Sequence, residues 1–279
     1  LGRPSLAGLL ADLDGQVAHG RGPSEVVVVD DRPWGGTPEP PLDVSGVRTP
    51  TRVVRTGGRG PAAARNAGWR SSGASWIAFL DDDVRLPDDW SDRLHADLRA
   101  AGPLVGGIQG RIHVPLPTGR RPTDWERSTA GLSHARWATA DMAYRREALV
   151  RVQGFDERFP RAFREDADLA VRVSRAGWEL VRGGRHVVHP VRPASSAVSV
   201  RVQAGNADDA TMRALHGHAW RTVAGTGRGR LPLHAATVGA GLLAVVAAAA
   251  GRRRPARVAA AAWGLLTLDF LVRRVQPGP

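Results

Sequence analysis

At 279 residues with a formal charge of +12 and no cysteine, the chain has room for one large domain, or one domain and an appendage. Disulfide and thiolate-metal chemistry are excluded. Every basic residue is arginine, scattered through an Ala-, Gly-, Pro- and Val-rich composition as in a GC-rich coding bias, so the charge alone does not argue for a nucleic-acid partner.

Leu6, Leu9, Leu10, Leu13 and Val17 recur at helical spacing and predict an amphipathic helix over 4–17. Gly20-Arg21-Gly22-Pro23 ends it. The β-branched run over 25–29 predicts a buried strand that runs into Asp30-Asp31. A Pro- and Gly-rich loop covers 32–50, and a short strand 52–55. Gly57-Gly58-Arg59-Gly60 leads into a helix over 61–72 that carries Arg65 and Asn66. The apolar run 76–80 is a buried strand that stops at Asp81-Asp82-Asp83, and a helix follows over 88–99. This alternation argues for an α/β fold with a mostly parallel sheet and helices on its faces.

Further along, a strand is predicted over 104–114, irregular chain over 115–135 with Trp125 inside it, and extended chain over 137–144. A short helix over 146–152 precedes the turn Gly154-Phe155-Asp156-Glu157. Another helix starts at Glu165-Asp166 and stops before Gly177. Residues 178–181 and 186–189 read as two short extended pieces, and 206–220 as a polar helix. The tail over 225–279 is distinct. Residues 231–250 are apolar except His234 and Thr237, about the length of a bilayer span, and 258–272 form a shorter apolar run containing Asp269. Arg252, Arg253 and Arg254 separate the two runs. A pair of buried helices is one reading, and membrane association the preferred one.

Three adjacent carboxylates would be costly inside a core. At the carboxyl end of a strand, where open α/β sheets bind ligands, they suit a hard cation such as Mg²⁺ or Mn²⁺. A solvated, helix-capping turn is the alternative.

Five stretches together resemble the family 2 glycosyltransferases of GT-A fold: Val28-Val29-Asp30-Asp31, Ala64-Arg65-Asn66-Ala67-Gly68, Phe79-Leu80-Asp81-Asp82-Asp83, Gly154-Phe155-Asp156-Glu157 and Arg164-Glu165-Asp166-Ala167-Asp168-Leu169. The resemblance covers residues 1–190 and leaves the tail unexplained. It implies inverting transfer of a sugar from a nucleotide-diphosphate donor, a UDP- or GDP-sugar, to a hydroxyl of a glycan, lipid-linked or cell-wall acceptor. It places Asp30 and Asp31 at the donor base, Arg65 and Asn66 at the nucleotide or diphosphate, and Asp82 near the ribose with Asp81 in support. It makes Asp83 the metal ligand for Mn²⁺ or Mg²⁺. It makes Asp166 the catalytic base, with Glu165 as second choice. His189 is a candidate for the metal shell and His186 less so. Trp125 and Trp137 could form an acceptor platform, and Asp141 stands where the family often has Asn. These assignments divide the chain into a catalytic domain over 1–224 and membrane-associated helices over 225–279, at a bacterial cell membrane with the catalytic domain cytoplasmic and no nucleic-acid partner.

Two other readings are a nucleotidyltransferase with a similar sheet, and a basic module binding nucleic acid or anionic lipid. The second would call for clustered arginines with interleaved aromatics, and only Arg252 to Arg254 cluster. The resemblance also implies a central strand ahead of Gly2-Arg3-Pro4, so an interruption is expected between the strands at 26–30 and 76–80.

Overall fold

The computed structural model describes residues 4–17, 22–35, 42–44, 46–195, 197–227 and 229–275. Gly2-Arg3, the first half of the Gly20-to-Pro23 turn, residues 36–41 and 45 of the Pro-rich loop, and the last four residues lie outside them. In chain order the elements are α1 (Pro4–Val17), β1 (Val26–Asp30), β2 (Thr51–Arg55), α2 (Pro61–Ser71), β3 (Trp76–Leu80), α3 (Trp90–Ala100), β4 (Val105–His113), α4 (Asp124–Ala130), β5 (Asp141–Arg145), α5 (Arg146–Arg151), α6 (Glu165–Arg175), β6 (Glu179–Val188), α7 (Val198–Arg201), α8 (Asn206–His216), α9 (Trp220–Val223), α10 (Leu231–Ala249) and α11 (Arg253–Val275).

The described strands form two sheets. β1 pairs in parallel with β2, from Val26 opposite Thr51 to Asp30 opposite Arg55. The larger sheet has the order β3-β5-β4-β6. β4 and β6 are parallel, but β5 runs antiparallel to both β3 and β4, so this sheet is mixed. β1 and β3 are not paired, and this is the place where the interruption was expected.

Alternation along β5 separates the two layers of core. Ala143 faces a cluster with Leu9 and Leu13 of α1, Trp90 and Leu94 of α3, and Ile112 of β4. Met142 and Tyr144 face another with Trp69 of α2, Phe79 of β3, Leu149 of α5, and Leu169 and Val173 of α6. A smaller cluster joins Ala167 and Val171 of α6 to Met212 of α8 and Trp220 of α9.

Several elements differ from the sequence expectation. The segment predicted as irregular contains α4, because Thr123 and Glu126 form a reciprocal capping box. The Thr-x-x-Glu signature was present in the sequence. The two extended pieces after Gly177 are one strand, β6, whose pairing with β4 slips between Gln109 and Arg111. Gly183 sits within that slip, and a Cβ there would lie 2.1 Å from Asp97 Oδ2. The irregularity re-aims the strand, and Arg185 turns into the core, fully buried.

α10 and α11 pack on each other as a hairpin. Leu242, Val245, Val246, Val258, Leu265 and Leu268 stay exposed along it. At its domain end Asp269 pairs with Arg230 and with Arg273, whose Nε lies 2.7 Å away. Arg127 of α4 donates to the Arg273 carbonyl at 3.1 Å. α11 begins at Arg253, ahead of the predicted apolar run, so Arg253 and Arg254 are helical.

Candidate active site

β3 ends at Leu80, paired with Asp141, and the acidic triplet leaves the sheet in a turn closed by Val84 N–H donating to the Asp81 carbonyl at 3.3 Å. Arg85 then forms an antiparallel bridge with Val188, with N–H to carbonyl distances of 2.7 and 2.9 Å. That bridge sets Asp83 beside His189, with 3.5 Å between Asp83 Oδ1 and His189 Nε2. Asp81, Asp83 and His189 each offer a ligand atom, all within 4.8 Å of one another. His186 is not in this group.

The arrangement of donors suits a cation. His189 Nδ1 lies 3.2 Å from the Pro190 carbonyl, which holds the ring with Nε2 toward Asp83. Asp83 Oδ1 is buried without a hydrogen bond. Burial pushes the Asp83 carboxyl up, while His189 and Arg192 pull it down. An orphaned carboxylate oxygen, a second carboxylate and an oriented imidazole form a donor set that fits Mn²⁺ or Mg²⁺.

Arg192 is the residue that sequence reasoning missed. Its Nη2 donates to Asp82 Oδ1 at 2.7 Å, and its Nε lies 2.5 Å from Asp83 Oδ2 without hydrogen-bond alignment. Trp125 Nε1 donates to the Arg192 carbonyl at 2.9 Å, so this indole holds the Arg192 loop. No local pattern separates Arg192 from the other arginines; its position after a His-Pro was the only signal.

α2 supplies the link between motifs. Arg65 Nη1 donates to Glu165 Oε1 at 2.7 Å, and Nη2 to Asp81 Oδ1 at 3.2 Å. One guanidinium fork thus joins the acidic triplet to the start of α6. Asn66 does not share this position. Its amide donates to the Phe155 carbonyl and Glu157 Oε1, both at 2.9 Å, and accepts from Phe155 N at 2.9 Å and Trp69 Nε1 at 3.0 Å. Its full hydrogen-bonding capacity is used. This corrects the expectation that it reaches the nucleotide: it fastens the Gly154-to-Glu157 turn to α2.

Asp31 also has loop contacts. Its carboxylate accepts from Thr56 Oγ1 at 2.6 Å and from the backbone N–H groups of Gly58, Arg59 and Gly60 at 3.0, 2.9 and 2.8 Å. It shapes the glycine-rich loop before α2, with three of these bonds on Oδ1 and one on Oδ2. Gly60 there has φ 92°, and a Cβ on it would lie 2.8 Å from the Pro160 carbonyl, so glycine is required. Asp30, at the end of β1, is buried and accepts from Arg32 Nε and Nη2 at 2.7 Å each. That pairing holds its carboxyl below the usual range.

At the start of α6 the helix amino terminus favours carboxylates. Glu165 is buried and its Oε2 has no hydrogen bond. Burial, then the charge of Asp166, push its carboxyl up to about 7 against the opposing pull of Arg65. Asp166 is half-buried, accepts from Ala167 N at 2.7 Å, and is also raised, chiefly by desolvation. Asp168, two residues on, is fully buried against Arg172 and His216 and is structural.

Asp141 belongs to the core. It accepts from Arg185 Nε at 2.8 Å and Trp90 Nε1 at 3.3 Å, while Arg185 also donates to Asp97 at 3.0 Å and the Ile108 carbonyl at 2.7 Å. Trp137 is half-buried, lies against the Met142–Tyr144 side of the sheet, and adopts φ 64°.

Residues 3–159 match the family described as Glycosyl transferase family 2. Two curated relatives, each named "Pre-mycofactocin glycosyltransferase" and from Mycobacterium tuberculosis strains CDC 1551 / Oshkosh and ATCC 25618 / H37Rv, are each 31% identical over 170 residues, covering 56% of this chain and 35% of the relative. The chain thus spans about a third of their length. Among solved structures, the mannosyltransferase PcManGT from Pyrobaculum calidifontis, in complex with GDP-Man and Mn²⁺, aligns with TM-score 0.50 at 20% identity, covering 96% of this chain and 83% of that one.

Proposed function

This chain belongs to glycosyl transferase family 2, and we propose that it moves a sugar, with inversion, from a UDP- or GDP-sugar to a hydroxyl of a glycan, lipid-linked or cell-wall acceptor. The observation that carries the proposal is the Arg65 fork. It ties Asp81, on the side that would hold a cation, to Glu165, on the side that would take a proton. Donor activation and acceptor deprotonation then belong to one pocket.

In this reading Asp81, Asp83 and His189 hold Mn²⁺ or Mg²⁺, which when bound offsets charge on the departing diphosphate. Support comes from the orphaned Asp83 oxygen and the oriented imidazole. Asp82 lies beside this group for the ribose, and Arg192 adds positive charge at the leaving-group side. Asp30 sits on the donor side at the end of β1. Asp166 reaches solvent and takes the hydroxyl proton. Glu165, buried against Arg65, holds the guanidinium in place.

The tail is proposed as the membrane anchor of a bacterial enzyme whose catalytic domain, residues 1–224, stays in the cytosol where sugar nucleotides are made. α10 has 19 residues, about 28 Å at 1.5 Å per residue, close to the thickness of a bilayer core. Asp269 is neutralised by Arg230 and Arg273 at the domain end. Apolar side chains are exposed around the hairpin, which favours immersion over lying flat at the surface.

A donor screen with Mn²⁺ or Mg²⁺, read as release of nucleotide diphosphate, tests the function. Transfer from one donor, lost with EDTA, is expected; no turnover of any donor, or turnover indifferent to EDTA, overturns the corresponding part. Asp166→Asn should lower kcat by about two to four orders of magnitude with donor binding little changed. A large loss in Glu165→Gln alone would assign the proton transfer to Glu165.

A further inference from the structure

Arg164, the residue before the paired carboxylates, has φ 76°. This left-handed conformation is the territory of glycine, and a long side chain persists there only where its surroundings impose it. Those surroundings come from α8 and α9. Arg164 Nε donates to Asp209 Oδ1 of α8 at 2.7 Å. Its guanidinium carbon lies 4.4 Å from the centre of the Phe163 ring and 5.1 Å from that of Trp220 of α9. Asp209 is held on its other oxygen by Arg221, which itself stacks over Trp220 at 4.4 Å. Beneath this layer Met212 and Trp220 pack on Ala167 and Val171 of α6.

Resting on the catalytic reading above, we propose that Arg164 is a positioning residue. Clamped by Asp209 and Trp220, it fixes the backbone turn that aims Glu165 and Asp166, so α8 and α9 set the acceptor-side carboxylate. Three features point the same way. The strained φ falls at the single backbone step before Glu165. The Arg164 side chain is spent on α8 and α9 and not on the carboxylates next to it. The clamp also comes from the segment that leads directly into α10, so the seating of the hairpin and the aim of the base share one set of contacts.

The test uses the full chain in detergent, with kcat and donor KM measured separately for Asp209→Asn, Arg164→Gly, Arg221→Gln and Asp209→Glu. Arg164→Gly keeps the backbone conformation accessible and removes the clamp together with the Arg164 charge felt by Asp166, whereas Asp209→Asn loosens the clamp and leaves that charge in place. Displacement of a reacting group by about an ångström costs up to a hundredfold in rate. Asp209→Asn and Arg164→Gly should therefore lose about tenfold to a hundredfold in kcat with donor KM and melting temperature held, Arg221→Gln should lose less, and Asp209→Glu should recover most of the rate. Wild-type kcat in both Asp209→Asn and Arg164→Gly overturns the proposal, as does a loss that tracks a fall in melting temperature. Absence of turnover in the wild type would instead overturn the catalytic reading, and this role with it.

Discussion

Replacing Arg65 by Gln probes the link between the two halves of the site. Its bond to Glu165 is a charge-assisted hydrogen bond of 2.7 Å within a buried setting. Such a bond contributes roughly 1.5–3 kcal/mol, or about one to two pKa units. The sign follows from charge. Burial already lifts Glu165 to about 7, and Arg65 opposes that lift, so removing the cation favours the protonated acid and moves its titration to higher pH. Glu165 and Asp166 interact, so the observable is the apparent pKa of the pair. The assay is the pH dependence of kcat for diphosphate release at saturating donor. The wild type should show an acid limb near 7, displaced to higher pH in Arg65→Gln. Stability carries the same signature. A carboxyl raised above its ordinary value of 4.5 contributes fully below that value and loses its contribution as pH rises through about 7, a loss on the order of 3 kcal/mol. The substitution should extend that loss to higher pH. A folded Arg65→Gln variant whose acid limb stays in place, or moves to lower pH, would refute the coupling.

Asp83→Asn should abolish turnover and weaken Mn²⁺ binding measured by titration calorimetry, with the fold unchanged; unaltered Mn²⁺ affinity would remove Asp83 from the cation site. Arg185→Met strands the buried Asp141 and takes a partner from the half-buried Asp97, which costs about 3–5 kcal/mol, or roughly 6–20 °C in melting temperature for a domain of this size. A circular-dichroism melt within the error of wild type would contradict that burial cost. Leu242→Arg with Leu265→Arg, both on the exposed surface of the hairpin, should shift the protein from the membrane to the soluble fraction, and full retention at the membrane would count against the anchor.

Much of this protein was legible locally. The spacing of Leu6, Leu9 and Leu13 and the runs at 26–30 and 76–80 place α1, β1 and β3 within a residue of where they lie, because periodicity and β-branching act over a few neighbours. The placement of Asp81 to Asp83 past a strand end and of Glu165-Asp166 at a helix start follows from the same cause, as does the apolar tail. What the tertiary structure decided is which of these charges meet. His189 and not His186 faces Asp83 because the Arg85–Val188 bridge sets the register of β6 beside the acidic turn. Arg192 looked like any other arginine until the loop held by Trp125 brought it to Asp82 and Asp83. Asn66 and Asp31 match the family motifs in sequence, yet in the fold Asn66 is fully used by the turn at 154–157 and Asp31 binds the glycine-rich loop before α2. The mixed sheet depends likewise on the reversal of β5 between β3 and β4. A carboxylate, amide or guanidinium has the same local signature whether it faces a ligand, a loop or a buried partner. Its role is set by contacts between residues far apart in the chain, such as the 100-residue separation of Arg65 and Glu165, and those contacts exist only once the sheet has brought the strand ends together.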